Sequence, residues 1–368
     1  MKIKPLKLAA MFVALLAALY GLHAFSLNYE MNKRLSDSIW QSAIREAEIA
    51  FADVGPATIE RAIEHRETEL ENRLSSSGTR IRAGHRKKIR WIDSIQEHGK
   101  REVPRKSQWS IVYIHGFSAG PLELEPTVSK LAEKLNANLF LTRLSAHGLT
   151  DGESFATVNA KDWVKDVAEA VAVGQILGEN TLLIGTSTGA ALALRYAATE
   201  YPGSAKSQVR AMILLSPNYK VSSFGADVLG NRLGPLLAQS LIGKYREFTA
   251  QNELHGGRWT TRYRTEALHE LILVTFSARN VALAELKVPV LTVYTDKDDV
   301  VSISEIEKRA AEFQDPRSLT INWMDGERHE LASETFHSEK VESLVELMRD
   351  WFFKLKVGPW ENQNESSD

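Results

Sequence analysis

Residues 109–324 alternate short, wholly apolar runs with longer helical stretches, and this rhythm leaves few folds open. Ile111-Val112-Tyr113-Ile114, Thr181-Leu182-Leu183-Ile184 and Ala211-Met212-Ile213-Leu214-Leu215 are too short for helices and show no polar face. Strands of that kind belong to a parallel sheet covered by helices on both sides. Residues 138–144, 288–294 and 319–324 read as further strands. A stretch after His115-Gly116, then 162–177 and 190–199, carry apolar residues at helical spacing. The fold class expected is α/β, a mostly parallel sheet with helices on both faces.

One segment breaks the rhythm. Residues 218–287, 70 in all, separate two strands of the sheet. They are rich in helix formers, and an insertion of that length in a compact domain usually serves function. They are read as a mostly helical cap (lid) over the carboxyl edge of the sheet, where open α/β folds bind ligands. The sheet domain itself is expected over 81–217 and 288–357, with a flexible polar tail at 358–368.

The N-terminal part departs from globular composition. Lys2, Lys4 and Lys7 precede an apolar run over 8–25, which is 18 residues, or about 27 Å of helix. A bilayer core is about 30 Å thick. Residues 1–27 are therefore expected to be a transmembrane anchor. The lysines ahead of the run put the following domain on the extracytoplasmic side. The competing readings are a cleaved signal peptide, leaving a secreted or periplasmic protein, and a buried helix. Residues 28–80 read as a helical extension. Trp40, Ala43, Ala47, Phe51 and Val54 form one stripe, Gly55-Pro56 interrupts, and Ile59, Ile63, Leu70 and Leu74 continue it. This stripe either packs on the main domain or forms a partner surface.

Composition removes several function classes. The chain has no cysteine, which excludes disulfides, zinc–thiolate sites and cysteine nucleophiles. The net charge of −2 gives no global field for nucleic acid. Residues 80–106 hold ten Lys or Arg against three Asp or Glu. With no nucleic-acid motif, that run reads as a solvated face or a surface for anionic headgroups. No cofactor and no metal are implied.

The chemistry concentrates in Gly185-Thr186-Ser187-Thr188-Gly189, which follows an apolar strand and opens an alanine-rich helix. A serine on such a tight strand-to-helix turn is lifted out of the sheet, and a side chain at either glycine would collide with neighbouring backbone. Its hydroxyl needs a base, and the base needs an orienting acid. With this elbow they follow in the order Ser, Asp or Glu, His. The loop after the 290–294 strand offers Asp296, Asp298 and Asp299, of which Asp298 is favoured. His329 lies after the last strand and is the base candidate; His337 is a weaker one. Two backbone N–H groups must face the developing oxyanion. They are assigned to Thr188, directly after the nucleophile, and to Phe117 in His115-Gly116-Phe117. His115 and His147 read as structural residues.

Together, His115-Gly116-Phe117, Arg143 with His147-Gly148, the elbow, Asp298-Asp299-Val300-Val301 and His329-Glu330-Leu331 resemble the α/β-hydrolase superfamily. The resemblance covers residues 88–356 and is similar to the branch of monoacylglycerol lipases, lysophospholipases and serine aminopeptidases. It implies Ser187 as nucleophile, Asp298 as acid, His329 as base, and Phe117 and Thr188 as oxyanion donors. The loop from Thr142 to Gly148 lacks the Asp and extra Gly common in monoacylglycerol lipases. The expected activity is hydrolysis of a small-molecule acyl ester, lipids among the candidates, by a carboxylesterase or lipase-like enzyme. The alternatives are a peptidase or thioesterase on the same machinery and a non-catalytic membrane protein of this fold.

Overall fold

The computed structural model describes Met31 and residues 33–92, 104–200, 208–223 and 225–355. The expected anchor at 1–27 and the tail at 358–368 lie outside them. Among the described residues no helix is long and apolar enough to cross a membrane.

Helices α1 (Asp37–Ala50) and α2 (Ile59–Ser75) precede the sheet domain. The sheet domain follows with β1 (Lys88–Arg90), β2 (Ser107–Ile114), α3 (Glu125–Leu135), β3 (Asn138–Leu141), α4 (Ala160–Leu177), β4 (Gly178–Thr186), α5 (Thr188–Glu200) and β5 (Val209–Leu215). The segment between β5 and the next sheet strand holds α6 (Gly234–Ile242), β6 (Tyr245–Glu247), α7 (Glu253–Arg258), β7 (Arg262–Arg264) and α8 (Ala267–Asn280). Then come β8 (Val290–Tyr294), α9 (Ile303–Ala310), β9 (Leu319–Asn322) and α10 (Val341–Lys354).

The sheet has seven strands in the order β1-β3-β2-β4-β5-β8-β9. Only β1 is antiparallel, pairing Ile89 with Phe140. The central strands are apolar on both faces because each face is covered. Ile111, Tyr113, Leu182 and Ile184 point into a core shared with α3 and α10. Val112, Ile114, Leu183 and Met212 point into the other, shared with α4 and α5. In β9 all four residues are exposed or only partly buried, as suits a sheet edge.

The N-terminal helices are part of this second core. Trp40, Ala43, Ala47, Phe51, Ile59 and Ile63 are buried in the same cluster as Trp163 and Phe140. The stripe then departs from its expected course. Leu70 and Leu74 are only half-buried, and Glu67 turns inward instead. The reason is a partner: Glu67 Oε1 accepts from Arg143 Nη2 at 2.7 Å, and its Oε2 accepts from Lys87 N–H at 3.0 Å. In the insertion, β6 and β7 form an antiparallel hairpin within a largely helical segment.

Candidate active site

Strand β4 ends at Thr186 and α5 begins at Thr188, so Ser187 alone makes the turn. Its φ is +54°, a left-handed conformation that costs a residue with a Cβ about 1–2 kcal/mol. Backbone hydrogen bonds hold it there. Ser187 N–H donates to Leu215 O at 2.9 Å, and its carbonyl accepts from Asn218 N–H at 3.0 Å. The flanking glycines are sterically required. A Cβ on Gly189 would lie 2.1 Å from Ile114 O, and one on Gly185 would lie 2.6 Å from the Ala190 backbone.

Strand β8 delivers Asp298, and the loop after β9 delivers His329. His329 Nδ1 and Asp298 Oδ2 are 2.6 Å apart. The other carboxylate oxygen accepts from Val300 N–H at 2.9 Å and Val301 N–H at 3.1 Å. Asp298 and His329 are both buried, whereas Asp296 and Asp299 are exposed. A carboxylate at Nδ1 keeps that nitrogen protonated and leaves the lone pair on Nε2. Burial works to lower the pKa of the His329 imidazole. The hydrogen bond and charge of Asp298, with Glu330 and Glu123, outweigh burial and hold it above its ordinary 6.5. The end of β5 links this pair to the elbow. Leu215 O receives the Ser187 N–H, and Ser216 Oγ donates to His329 O at 2.8 Å.

The loop after β2 closes the other side. A Cβ placed on Gly116 would be 3.3 Å from Ser187 Cβ. The Phe117 ring packs edge-on to His147, Phe155, Trp163 and Tyr263. Thr188 follows the serine directly, and Phe117 follows Gly116, the glycine that faces the serine side chain. His115 is buried; its Nε2 accepts from Leu144 N–H at 3.0 Å, so Nδ1 carries the proton and donates to Gly116 O at 2.8 Å. Burial holds His115 well below its ordinary value and pushes His147 down to about 4. Both are neutral wedges shaping the loops. His337 faces Glu327 and Glu339 at 3.9 and 3.6 Å, with no link to the serine.

Glu123 was not legible in the sequence. It is buried, with Oε2 accepting from Tyr113 OH at 2.6 Å and from Gly116 N–H at 2.8 Å. Its Oε1 lies 2.9 Å from the position a Gly116 Cβ would take, so it flanks the same glycine as Ser187. Burial pushes its carboxyl up to about 7. Pro121-Leu122-Glu123-Leu124-Glu125-Pro126 contains no signal that separates the inward glutamate from its neighbour. Among the described residues no group of three His, Asp or Glu is arranged to hold a metal ion.

Seven mostly parallel strands, a serine elbow after β4 and a His–Asp pair on the loops after β8 and β9 define an α/β-hydrolase. Residues 105–335, more than half of the chain, match the family described as Hydrolase_4, serine aminopeptidase S33, and the chain belongs to that family. No curated protein matches it in sequence. Similar solved structures include one described with LipS and LipT, two metagenome-derived lipolytic enzymes. It has a TM-score of 0.57 and 17% identity over 75% of this chain and 100% of that one. A soluble variant of monoglyceride lipase from Saccharomyces cerevisiae, in complex with a substrate analog, has a TM-score of 0.53. Its identity is 13%, over 73% of this chain and 91% of that one. A DcsB complex with its substrate analogue has a TM-score of 0.51 and 15% identity, covering 69% and 92%. At these identities the likeness is one of fold.

Proposed function

We propose that this protein is a serine hydrolase cleaving carboxylic esters through an acyl-enzyme on Ser187. The observation that carries the reading is the buried His329–Asp298 hydrogen bond, tied through Leu215 and Ser216 at the end of β5 to a strained elbow serine. Ser187 Oγ attacks the ester carbonyl carbon while His329 Nε2 takes its proton. The carbonyl oxygen becomes an oxyanion facing the N–H groups of Phe117 and Thr188. Collapse breaks the carbon–oxygen bond, and His329 gives its proton to the departing alcohol. Water, deprotonated by His329, then attacks the acyl carbon and releases the acid and Ser187. Asp298 holds the imidazole tautomer throughout.

Support for an ester comes from the fold neighbours described as lipolytic enzymes and as a monoglyceride lipase. The aromatic cluster of Phe117, Phe155 and Tyr263 lies next to the loop that carries Gly116, and residues 218–287 are read as the cap over the acyl site. The family description also names a serine aminopeptidase, so aminoacyl-arylamides and thioesters belong in the same assay. Ser187→Ala should lower p-nitrophenyl ester turnover by on the order of 10⁶ and abolish labelling by a fluorophosphonate. Labelling that survives in the variant would sink the nucleophile assignment.

Residues 1–27 are proposed as an uncleaved anchor, with the hydrolase domain on the extracytoplasmic side. The support is the basic-then-apolar order of the sequence. The intact mass of protein extracted from membranes tests it, and loss of about 25 residues would mean a cleaved signal instead.

A further inference from the structure

The segment between α2 and β1 lies outside the family-matched residues 105–335, yet its side chains reach both the cap and the loop after β2. Arg82 is half-buried. Its Nε donates to Leu149 O at 2.7 Å, and its Nη1 donates to Trp259 O at 2.8 Å and to Gly256 O at 3.3 Å. The three acceptors are all backbone carbonyls. Burial lowers the pKa of this guanidinium with no neighbouring acid to offset the shift. His85 lies at the same junction and is buried. Its Nε2 donates to Gly257 O at 3.1 Å, and its Nδ1 fills the space that a Cβ on Gly120 would need.

The carbonyl of Trp259 and the N–H of Thr260 belong to one peptide group. While the carbonyl accepts from Arg82, the N–H donates to Ser118 O at 2.7 Å. Hydrogen bonds in such a chain polarise one another, and a charged donor at its head strengthens the next bond. Ser118 needs holding. Its φ is +62°, a left-handed conformation that persists only where the surroundings impose it. Ser118 directly follows Phe117, whose N–H is assigned to the oxyanion. The loop is thus supported on both sides of Phe117, by Glu123 at Gly116 N–H and by Thr260 at Ser118 O.

We propose, on the reading of Ser187 as the nucleophile, that Arg82 is a positioning residue for the oxyanion hole. It holds the Trp259–Thr260 peptide, and through it the loop that carries the Phe117 N–H. The turn from α7 to β7 is then a fixed part of the catalytic frame. The N-terminal extension contributes to the chemistry without touching substrate.

Arg82→Met removes the donors and keeps an apolar stem. Rates are taken per site titrated to completion with a fluorophosphonate, so that unfolded protein does not count. For p-nitrophenyl esters, kcat and kcat/KM should fall together by about 10- to 100-fold, because an oxyanion donor lost outright costs about 10²–10³. A trifluoromethyl ketone, whose adduct with Ser187 places an oxyanion in the same hole, should bind more weakly by the same factor. Thr260→Pro is the second variant, since it deletes the N–H that serves Ser118. Trp259, at φ −111° and ψ 148°, already has the extended backbone that precedes a proline. This variant should show the same losses. The double variant should be little worse than either, because both changes act through one peptide. Wild-type ketone affinity in folded Arg82→Met, or in folded Thr260→Pro where Arg82→Met does not fold, would overturn the proposal. So would effects that multiply in the double variant. A change confined to KM would do the same, because the cap would then have shifted without moving the loop. A wild-type chain that neither hydrolyses esters nor takes the fluorophosphonate would overturn the nucleophile reading and the proposal with it. An active wild type with an unaffected Arg82→Met would sink the proposal alone.

Discussion

Asp298, Glu330 and Glu123 all favour the charged form of His329, and Asp298 and Glu123 act on it differently. Asp298 receives Nδ1–H directly, so its loss changes the tautomer as well as the charge. Asp298→Asn should cut kcat by on the order of 10⁴ without unfolding the protein; a tenfold effect or less, read in steady-state ester hydrolysis, would remove it from the machinery. Glu123 acts through space and through the loop it holds. Its negative charge favours the imidazolium form of His329. The base must be neutral to accept the serine proton, so activity should fall as pH drops through the raised His329 value. Glu123→Gln keeps an acceptor for Tyr113 and Gly116 but removes the charge. The acid limb of kcat/KM should then move to lower pH, whereas a purely structural glutamate would leave its position unchanged. The same group makes a stability prediction. Its folded carboxyl titrates near 7, above its ordinary 4.5, so the folded state binds the proton more tightly. The protein should lose stability as pH rises from about 4.5 to 7, and Glu123→Gln should flatten that slope in denaturant titrations.

At the scale of elements, the elbow depends on how closely α5 approaches the end of β2. With Ile114 O 2.1 Å from a Gly189 Cβ, Gly189→Ala cannot be absorbed by a side-chain rotation, because the obstacle is backbone. It should destabilise by about 1–3 kcal/mol and lower kcat at temperatures where the protein remains folded. Wild-type kcat in the folded variant would argue that the turn tolerates a shift of the helix start. The elements themselves were largely readable, since strand and helix periods are local properties. Residues 162–177 and 190–199 fall inside α4 and α5, the first lacking two terminal residues and the second three. Strand β3 stops at Leu141, short of the expected 144, because the chain turns off the sheet edge into the Arg143–His147 loop. The β6–β7 hairpin was missed: three-residue strands carry too few alternations to register.

For the whole molecule, the N-terminal helices are the least local feature. Glu67 on α2 and Arg143 on the loop after β3 form a buried ion pair, each about 2% exposed. Removing one partner of such a pair costs about 3–5 kcal/mol, because the other charge stays buried. Glu67→Ala should therefore lower the thermal midpoint markedly, and an unchanged midpoint would show that Arg143 reaches water when released. The same substitution should loosen the loop carrying His147, which packs on Phe117 at 5.6 Å between ring centroids. The extension thus braces the wall of the site from behind.

The sequence by itself determined the layered α/β plan, the strand–turn–helix setting of Ser187 and the placing of acidic and imidazole side chains on loops after later strands. Those follow from periodicity, steric limits at glycine and chain order, which act over a few residues. Only the tertiary structure decided which aspartate turns inward to meet His329, that Glu123 sits beside the same glycine as the serine, and that Glu67 replaces leucine in the stripe of α2. Each of these is a polar group whose burial is stable only when a partner supplies a hydrogen bond, from a distant segment for Asp298 and Glu67 and from the end of β2 for Glu123. Glu67 and Arg143 are 76 positions apart, and no pattern within either segment contains the other.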